Sequence, residues 1–170
     1  MKWLGAILVI LACTWIGFEA AKRMSDRPKQ LRQLKVGIQA LEAEMLYGLT
    51  PLAEASIHLS KQLAYPINHL FEHFAHKLES KGESAHIAWE QSLEEVWQST
   101  SLLKGEREVL SQFGQTLGQQ DRDQQQKQIK LTMVHLDREE AEAKENQLRY
   151  EKMLKSLGFL GGLLIVILML

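Results

Sequence analysis

From Lys29 to Tyr47 apolar side chains recur at Leu31, Leu34, Ile38, Leu41 and Met45. Those alternating steps of three and four draw one stripe along an α-helix, a seam made for packing against a partner helix. Further stripes follow at Leu52, Ala55, Leu59 and Leu63, and then at Ile67, Leu70, Phe71, Phe74 and Leu78. Ala85, Ala88, Trp89, Leu93, Val96 and Trp97 form the next, followed by Leu103, Val109, Leu110, Phe113 and Leu117 within 102–117. The last is a sparser line at Ile129, Met133, Leu136, Ala143, Tyr150, Leu154 and Leu157. No stretch alternates with the period of two that a half-buried strand needs, so the expected fold class is all-α.

Punctuation supports the same division. Gly48 closes one helix, and Thr50-Pro51 opens another with a capping residue followed by proline at the first helical position. Tyr65-Pro66, Lys81-Gly82 with Ser84, Ser99-Thr100-Ser101 and Gly118 mark the later boundaries. Asp121 with Gln124 is a capping-box variant that starts a long final helix. Pro28 predicts a kink or short break, since proline lacks an N–H and clashes with the preceding turn. Short connections favour antiparallel neighbours, so the expectation is an antiparallel six-helix bundle whose first and last helices continue into terminal membrane segments.

Those terminal segments carry the strongest hydropathy signal. Trp3 to Phe18 and Leu157 to Leu170 contain no charged side chain. The first is near the lower length limit for a spanning helix, and the second is shorter still. The chain therefore divides into an N-terminal transmembrane segment (1–21), a helical bundle domain (22–155) and a C-terminal membrane segment (156–170). Lys22, Arg23, Arg27, Lys29, Arg32 and Lys35 follow the first segment, and Arg149, Lys152 and Lys155 precede the second. Cations beside membrane segments are retained on the cytoplasmic side, so the middle domain is expected in the cytoplasm of a cell-membrane protein. The same cations can meet anionic lipid headgroups.

A rival reading takes Ile10-Leu11-Ala12-Cys13 as a lipoprotein cleavage box, giving an exported or lipidated helical binding protein with Cys13 as the lipid site. The apolar run continues past Cys13 through Trp15, Ile16 and Phe18 into a cation cluster, which opposes export. Cys13 is the single cysteine, so the chain can form neither an internal disulfide nor a cysteine-rich metal site.

Charge and motifs narrow the chemistry. The formal net charge is −1, which gives no bulk attraction to nucleic acid. No GxxxxGK[ST] loop and no HExxH are present, and Ser, His and Asp occur without a nucleophile elbow, so no catalytic residue, cofactor or metal is expected. His69, His73 and His76 share a helix face, yet without a second ligand cluster they read as a polar flank beside the Phe71/Phe74 face. Glu83, Glu90 and Glu94 fall on one face that could dock a basic partner. Gly158 and Gly162 make a GxxxG spacing, and Cys13, Gly17 and Ala21 repeat small residues every four. Gly17, Gly158 and Gly162 are therefore candidates for close helix contact in the membrane, between the two segments or between copies in a homo-oligomer. Glu19, at the edge of the first segment, is expected at the interface.

Several long strings resemble the stage III sporulation protein AB family of endospore-forming bacteria. They are TWIGFEAAKRMSDRPKQLRQL (Thr14 to Leu34), LEAEMLYGLTPLAEAS (Leu41 to Ser56), AWEQSLEEVW (Ala88 to Trp97), LSQFGQTLGQQDRDQQQKQI (Leu110 to Ile129) and RYEKMLKSLGFLGGLL (Arg149 to Leu164). The resemblance implies a component of the channel between mother cell and forespore, in the mother-cell membrane surrounding the forespore. It also implies partnership with other channel subunits and a secretion-type cytoplasmic ATPase, and a domain similar to the inner-membrane platform proteins of type II secretion and type IV pilus machines. The family supplies no catalytic residues.

Overall fold

The computed structural model describes residues 2–48, 50–81, 84–118 and 121–169, with the side chains of residues 1–10 and of several positions near the C-terminus outside that description. Among the described residues there are six α-helices and no strand. They are α1 (Lys2–Tyr47), α2 (Leu52–Gln62), α3 (Ile67–Lys81), α4 (Ala85–Trp97), α5 (Lys104–Thr116) and α6 (Arg122–Met169). Two compact units form, one of Met1–Pro28 with Ala141–Leu170, the other of Lys29–Glu140.

The Lys29–Glu140 unit is organised around Trp89 of α4, which is fully buried. Phe71 and Phe74 lie one turn apart on α3 and meet the indole edge-on, at centroid distances of 6.0 and 5.3 Å, and Phe113 of α5 does so at 5.1 Å. Edge-to-face contact sets the positive rim of one ring against the negative face of another, which adds direction to burial. The indole Nε1–H donates to the Leu110 carbonyl at 2.9 Å, so the one polar atom of the side chain is satisfied inside the core.

Two glycines let the backbones close on these rings. A Cβ on Gly37 of α1 would stand 2.3 Å from Phe71 Cζ, and one on Gly114 of α5 would stand 2.4 Å from Trp89 Cδ1. The expected stripe of α1 is buried at Leu31, Leu34, Ile38 and Leu41, that of α3 at Ile67, Leu70, Phe71 and Phe74, and that of α6 at Ile129 and Leu136.

Polar side chains complete the seams. The side-chain oxygen of Gln30 accepts from Ser101 N–H at 2.8 Å, that of Gln33 accepts from Ala64 N–H at 3.0 Å, and Gln125 Nε2 donates to the Thr116 carbonyl at 2.9 Å. Each glutamine satisfies a backbone group that the end of a shorter helix or a turn leaves open. α1 and α6 run antiparallel in this unit. Arg32 reaches Glu140 at 3.1 Å, and Lys35 reaches Asp137 at 2.5 Å and Glu140 at 2.7 Å.

In the unit of Met1–Pro28 with Ala141–Leu170, Gly17, Ala21 and Ala143 are buried, and Gln147 Nε2 donates to Ser25 Oγ at 3.0 Å. Trp15, Ile16 and Phe18 are 76%, 68% and 54% exposed. Among the described residues no helix is long and apolar enough to cross a membrane. The expected 1–21 segment falls in part on side chains outside the description, as do Gly158, Gly162 and Leu170. A Cβ on the neighbouring Gly161 would meet nothing.

Four sequence expectations are corrected. Pro28 neither breaks nor ends its helix, because α1 is hydrogen-bonded helix on both sides of it and the proline is itself buried. Packing there outweighs the one lost hydrogen bond. The second helix begins at Leu52, with Pro51 rather than Thr50 in the capping position and no side-chain cap. Leu103 is 54% exposed and sits ahead of α5 in extended conformation, while Leu102 turns inward. Leu157 is likewise exposed. The expected caps at Ser84 and Asp121 are present, the latter accepting from Asp123 and Gln124 N–H at 3.1 and 3.2 Å, and Gly118 closes α5 with φ +86°.

The close approaches make a direct prediction. Gly37→Ala and Gly114→Ala should each lose about 1–3 kcal/mol of stability, because rings locked against one another cannot yield to an added methyl. Gly105→Ala, whose Cβ would meet nothing, should be neutral or gain a few tenths of a kcal/mol. Urea unfolding followed by tryptophan emission tests both, and wild-type midpoints for the first two variants would contradict the packing described.

Candidate functional site

The most chemically furnished surface of the Lys29–Glu140 unit lies along α3, α4 and α5. On α3, His73 and Lys77 stand one turn apart and face Glu95 of α4. His73 Nδ1 lies 2.6 Å from Glu95 Oε2, and Lys77 Nζ donates to Glu95 Oε1 at 2.8 Å. A carboxylate only accepts, so the proton between His73 and Glu95 belongs to the imidazole. Hydrogen bonds from Lys77 and then His73 hold the Glu95 carboxyl below its ordinary range, against a smaller opposing effect of burial.

The neighbouring His69 is in contact with Tyr65 edge-on at 5.3 Å and with the His73 ring at 6.1 Å. Beside them Glu72, His73, His76, Lys77 and Ser80 line an open depression. Among the described residues no group of three or more His, Cys, Asp or Glu side chains could hold a metal ion. His73 is tied to Glu95, while His69 and His76 are exposed on the same helix.

Of the three glutamates proposed to dock a partner, Glu83 lies outside the described residues. Glu90 is half-buried, and its Oε1 has no hydrogen-bond partner. Glu94 is engaged by the guanidinium of Arg107 on α5, which also lies over the Trp97 ring at 5.5 Å from its centroid. The expected acidic face is therefore partly neutralised by its own chain. What it presents is an ordered corner in which an acid, a cation and an aromatic ring hold one another, next to exposed Leu103. Sequence reasoning missed Arg107 and Trp97 as surface partners because the tryptophan falls on the apolar stripe of α4 and the arginine lies on another helix, thirteen residues from Glu94.

A second small cleft of about 200 Å³ lies between α1 and α2, bounded by Ala40, Glu44, Thr50, Ala55, His58, Leu59 and Gln62. Its lining offers one carboxylate, one hydroxyl and one imidazole.

Comparison with known proteins turns this description into a family. A family model for stage III sporulation protein AB matches residues 2–170. The chain belongs to the stage III sporulation protein AB family. It is similar to stage III sporulation protein AB of Bacillus subtilis (strain 168), with 53% identity over 169 residues and 99% of each chain covered. A solved structure of stage III sporulation protein AB resembles it with a TM-score of 0.71 and 52% identity, across 73% of this chain and 98% of that one. The family rests on almost the whole length, and the solved structure supports the helical fold.

The ion pairs between helices set an expected pH dependence. Burial pushes the Glu140 carboxyl up, but hydrogen bonds from Lys35 and Arg32 outweigh it and hold the group below its ordinary value. Hydrogen bonds to Asp137 and Glu140 hold Lys35 above its own. A lowered carboxyl stabilises the fold above its ordinary range and loses that contribution as pH falls through the folded value; a raised lysine stabilises below its ordinary range and loses it as pH climbs through the folded value. Urea midpoints should therefore hold steady between about pH 5 and pH 10 as far as these groups decide it, and fall outside that window. Glu140→Gln should lower the plateau and flatten the acid limb, and a wild-type acid limb in that variant would sink this assignment.

Proposed function

We propose that the chain is a non-enzymatic platform protein of the channel between mother cell and forespore, linking a cytoplasmic secretion-type ATPase to the membrane assembly. In this reading, residues 1–21 and 156–170 are membrane segments, and the domain between them is a helical bundle in the mother-cell cytoplasm. The observation that carries it is the pair α1 and α6. Each is one unbroken helix that contributes its inner part to the charged, aromatic-centred unit and its outer part to a charge-free stretch. A helix that leaves a packed core and continues into an apolar run is what a membrane-tethered domain needs, because every backbone group stays satisfied on the way into lipid.

For the ATPase-facing surface the α4–α5 corner is the best supported. Tryptophan and arginine recur at the energetic centres of interfaces, and here Arg107 is already ordered over Trp97 with an apolar Leu103 beside it. Pre-ordering lowers the entropy lost on association.

Leu103→Asp separates docking from folding. Leu103 occupies the capping position of α5, where Asp is a better residue, so the variant should unfold at the wild-type urea concentration or slightly above. It should also retain roughly a tenth or less of the co-purifying ATPase, since a charge in an apolar contact costs on the order of 1–3 kcal/mol. Undiminished co-purification would remove this face from the proposal. Alkaline phosphatase fused after Lys81 should be inactive, and an active fusion would place the domain outside the cytoplasm and favour the lipidated reading at Cys13.

A further inference from the structure

The unit of Met1–Pro28 with Ala141–Leu170 carries a group of cations at one level. Gln147 and Ser25 are joined at 3.0 Å, and α1 and α6 run antiparallel. Two residues on from that bond, Arg23 and Arg149 fall at the same height, with Lys22 beside the first and Lys152 one turn beyond the second. All four are exposed. Among the described residues the one ion pair they make is between Arg23 and Glu19, at 3.7 Å within the same helix and with both side chains more than half exposed, a contact of little strength. Among the described residues neither Lys22 nor Lys152 is drawn into an ion pair. Arg149 rests over the Tyr150 ring at 5.4 Å.

The apolar side of this level is just as particular. Trp15 and Phe18 are exposed two turns and one turn from Lys22. Glu142 and Glu145 lie one to two turns on the other side of Arg149, away from the apolar end. Along the unit the order is therefore exposed apolar rings, then this group of cations, then a mixed stretch in which Glu142 and Glu145 flank Lys144. The cations stand where phospholipid phosphates would lie if the rings entered the acyl region, and the acids stand where water would be.

We propose that Lys22, Arg23, Arg149 and Lys152 form a collar that selects anionic phospholipid headgroups over zwitterionic ones. This rests on the membrane reading above. Four cations drawn from two helices at one height form a patch about as wide as the helix pair, which suits several lipid phosphates around its circumference rather than one free ion in a pocket. Each basic residue at an anionic surface contributes on the order of fivefold in affinity. A single lipid exchanging at the collar meets one or two of the four cations, and the nearby Glu19 offsets part of this, so a preference of roughly tenfold per lipid is expected.

The test uses the full chain reconstituted in phosphatidylcholine bilayers, in which a fifth of the lipid carries bromine on its acyl chains. The brominated lipid is either phosphatidylglycerol or phosphatidylcholine. With Trp3→Phe as the common background, bromine quenches Trp15 emission only from lipids adjacent to it. Wild type should be quenched more by brominated phosphatidylglycerol, fitting a preference of roughly tenfold for lipids at the collar. The variant Lys22→Gln, Arg23→Gln, Arg149→Gln, Lys152→Gln should be quenched equally by both lipids, while its circular dichroism remains that of wild type. Millimolar inorganic phosphate should leave the preference unchanged; displacement by phosphate would show a free-anion site and overturn the proposal. Equal quenching of wild type by both lipids would overturn the collar and leave the membrane reading standing. No quenching by either would overturn the membrane reading itself.

Discussion

The Lys29–Glu140 unit depends on the burial of one tryptophan. Trp89 is the largest of its fully buried side chains and touches aromatic rings from both α3 and α5. An indole carries a polar N–H that must be satisfied if it enters a core, and the Leu110 carbonyl does so from the helix that also supplies Phe113. The hydrogen bond and the ring contact thus fix the same pair of helices from the same side chain. Gly114 permits the approach on α5, and Gly37 permits α1 to close over Phe71. Truncating a tryptophan of this kind typically costs 3–5 kcal/mol, a large share of the stability of an ordinary domain.

That arrangement explains which parts of the fold were legible in the sequence. The stripes on α1, α3 and α4 were readable because long apolar side chains at three-and-four spacing have one way to be buried on a helix, and Leu31, Leu34, Ile38, Leu41, Phe71 and Trp89 follow it. The line on α6 was readable only in outline. Its buried face also contains Gln125 and Thr132, which a hydropathy pattern passes over because their burial is justified by a hydrogen bond or a tight fit and not by transfer from water. The break allowed at Pro28 is absent for a related reason. Local propensity opposes helix there, but the residues on either side are held by packing that local propensity does not contain. At Leu103 the competing demand was capping, since Glu106 folds back to accept the Leu103 N–H and the leucine is left facing outward.

The candidate site was less legible than the core. Glu90 and Glu94 could be placed on one helix face, but whether an acid is free to bind depends on what lies across from it, and Arg107 is set there by the turn between α4 and α5. Glu95 belongs to the same helix and was not singled out, although hydrogen bonds from Lys77 and His73 hold its carboxyl below the ordinary range. Periodicity orders residues along one helix; it does not say which residues of two helices meet. In the same way the histidines could be seen to share a face of α3, while the tie between His73 and Glu95 depends on where α4 packs.

The distribution of charge separates two uses of the same residue types. Between α1 and α6 the acids and bases pair directly, Lys35 with Asp137 and Glu140 and Arg32 with Glu140, at side chains that are in part withdrawn from water. Charges used in this way fix register, because a slip of one residue would leave an ion half-buried without its counter-ion. At Lys22, Arg23, Arg149 and Lys152 the charges are exposed, and Arg23 has only a long contact with Glu19. Cations that do not stabilise a chain by pairing within it, and that stand beside exposed aromatic rings, contribute chiefly through what lies outside the chain. Within a single sequence the same residue types hold two helices in register where they pair across them, and in the proposed collar they would face a negatively charged surface.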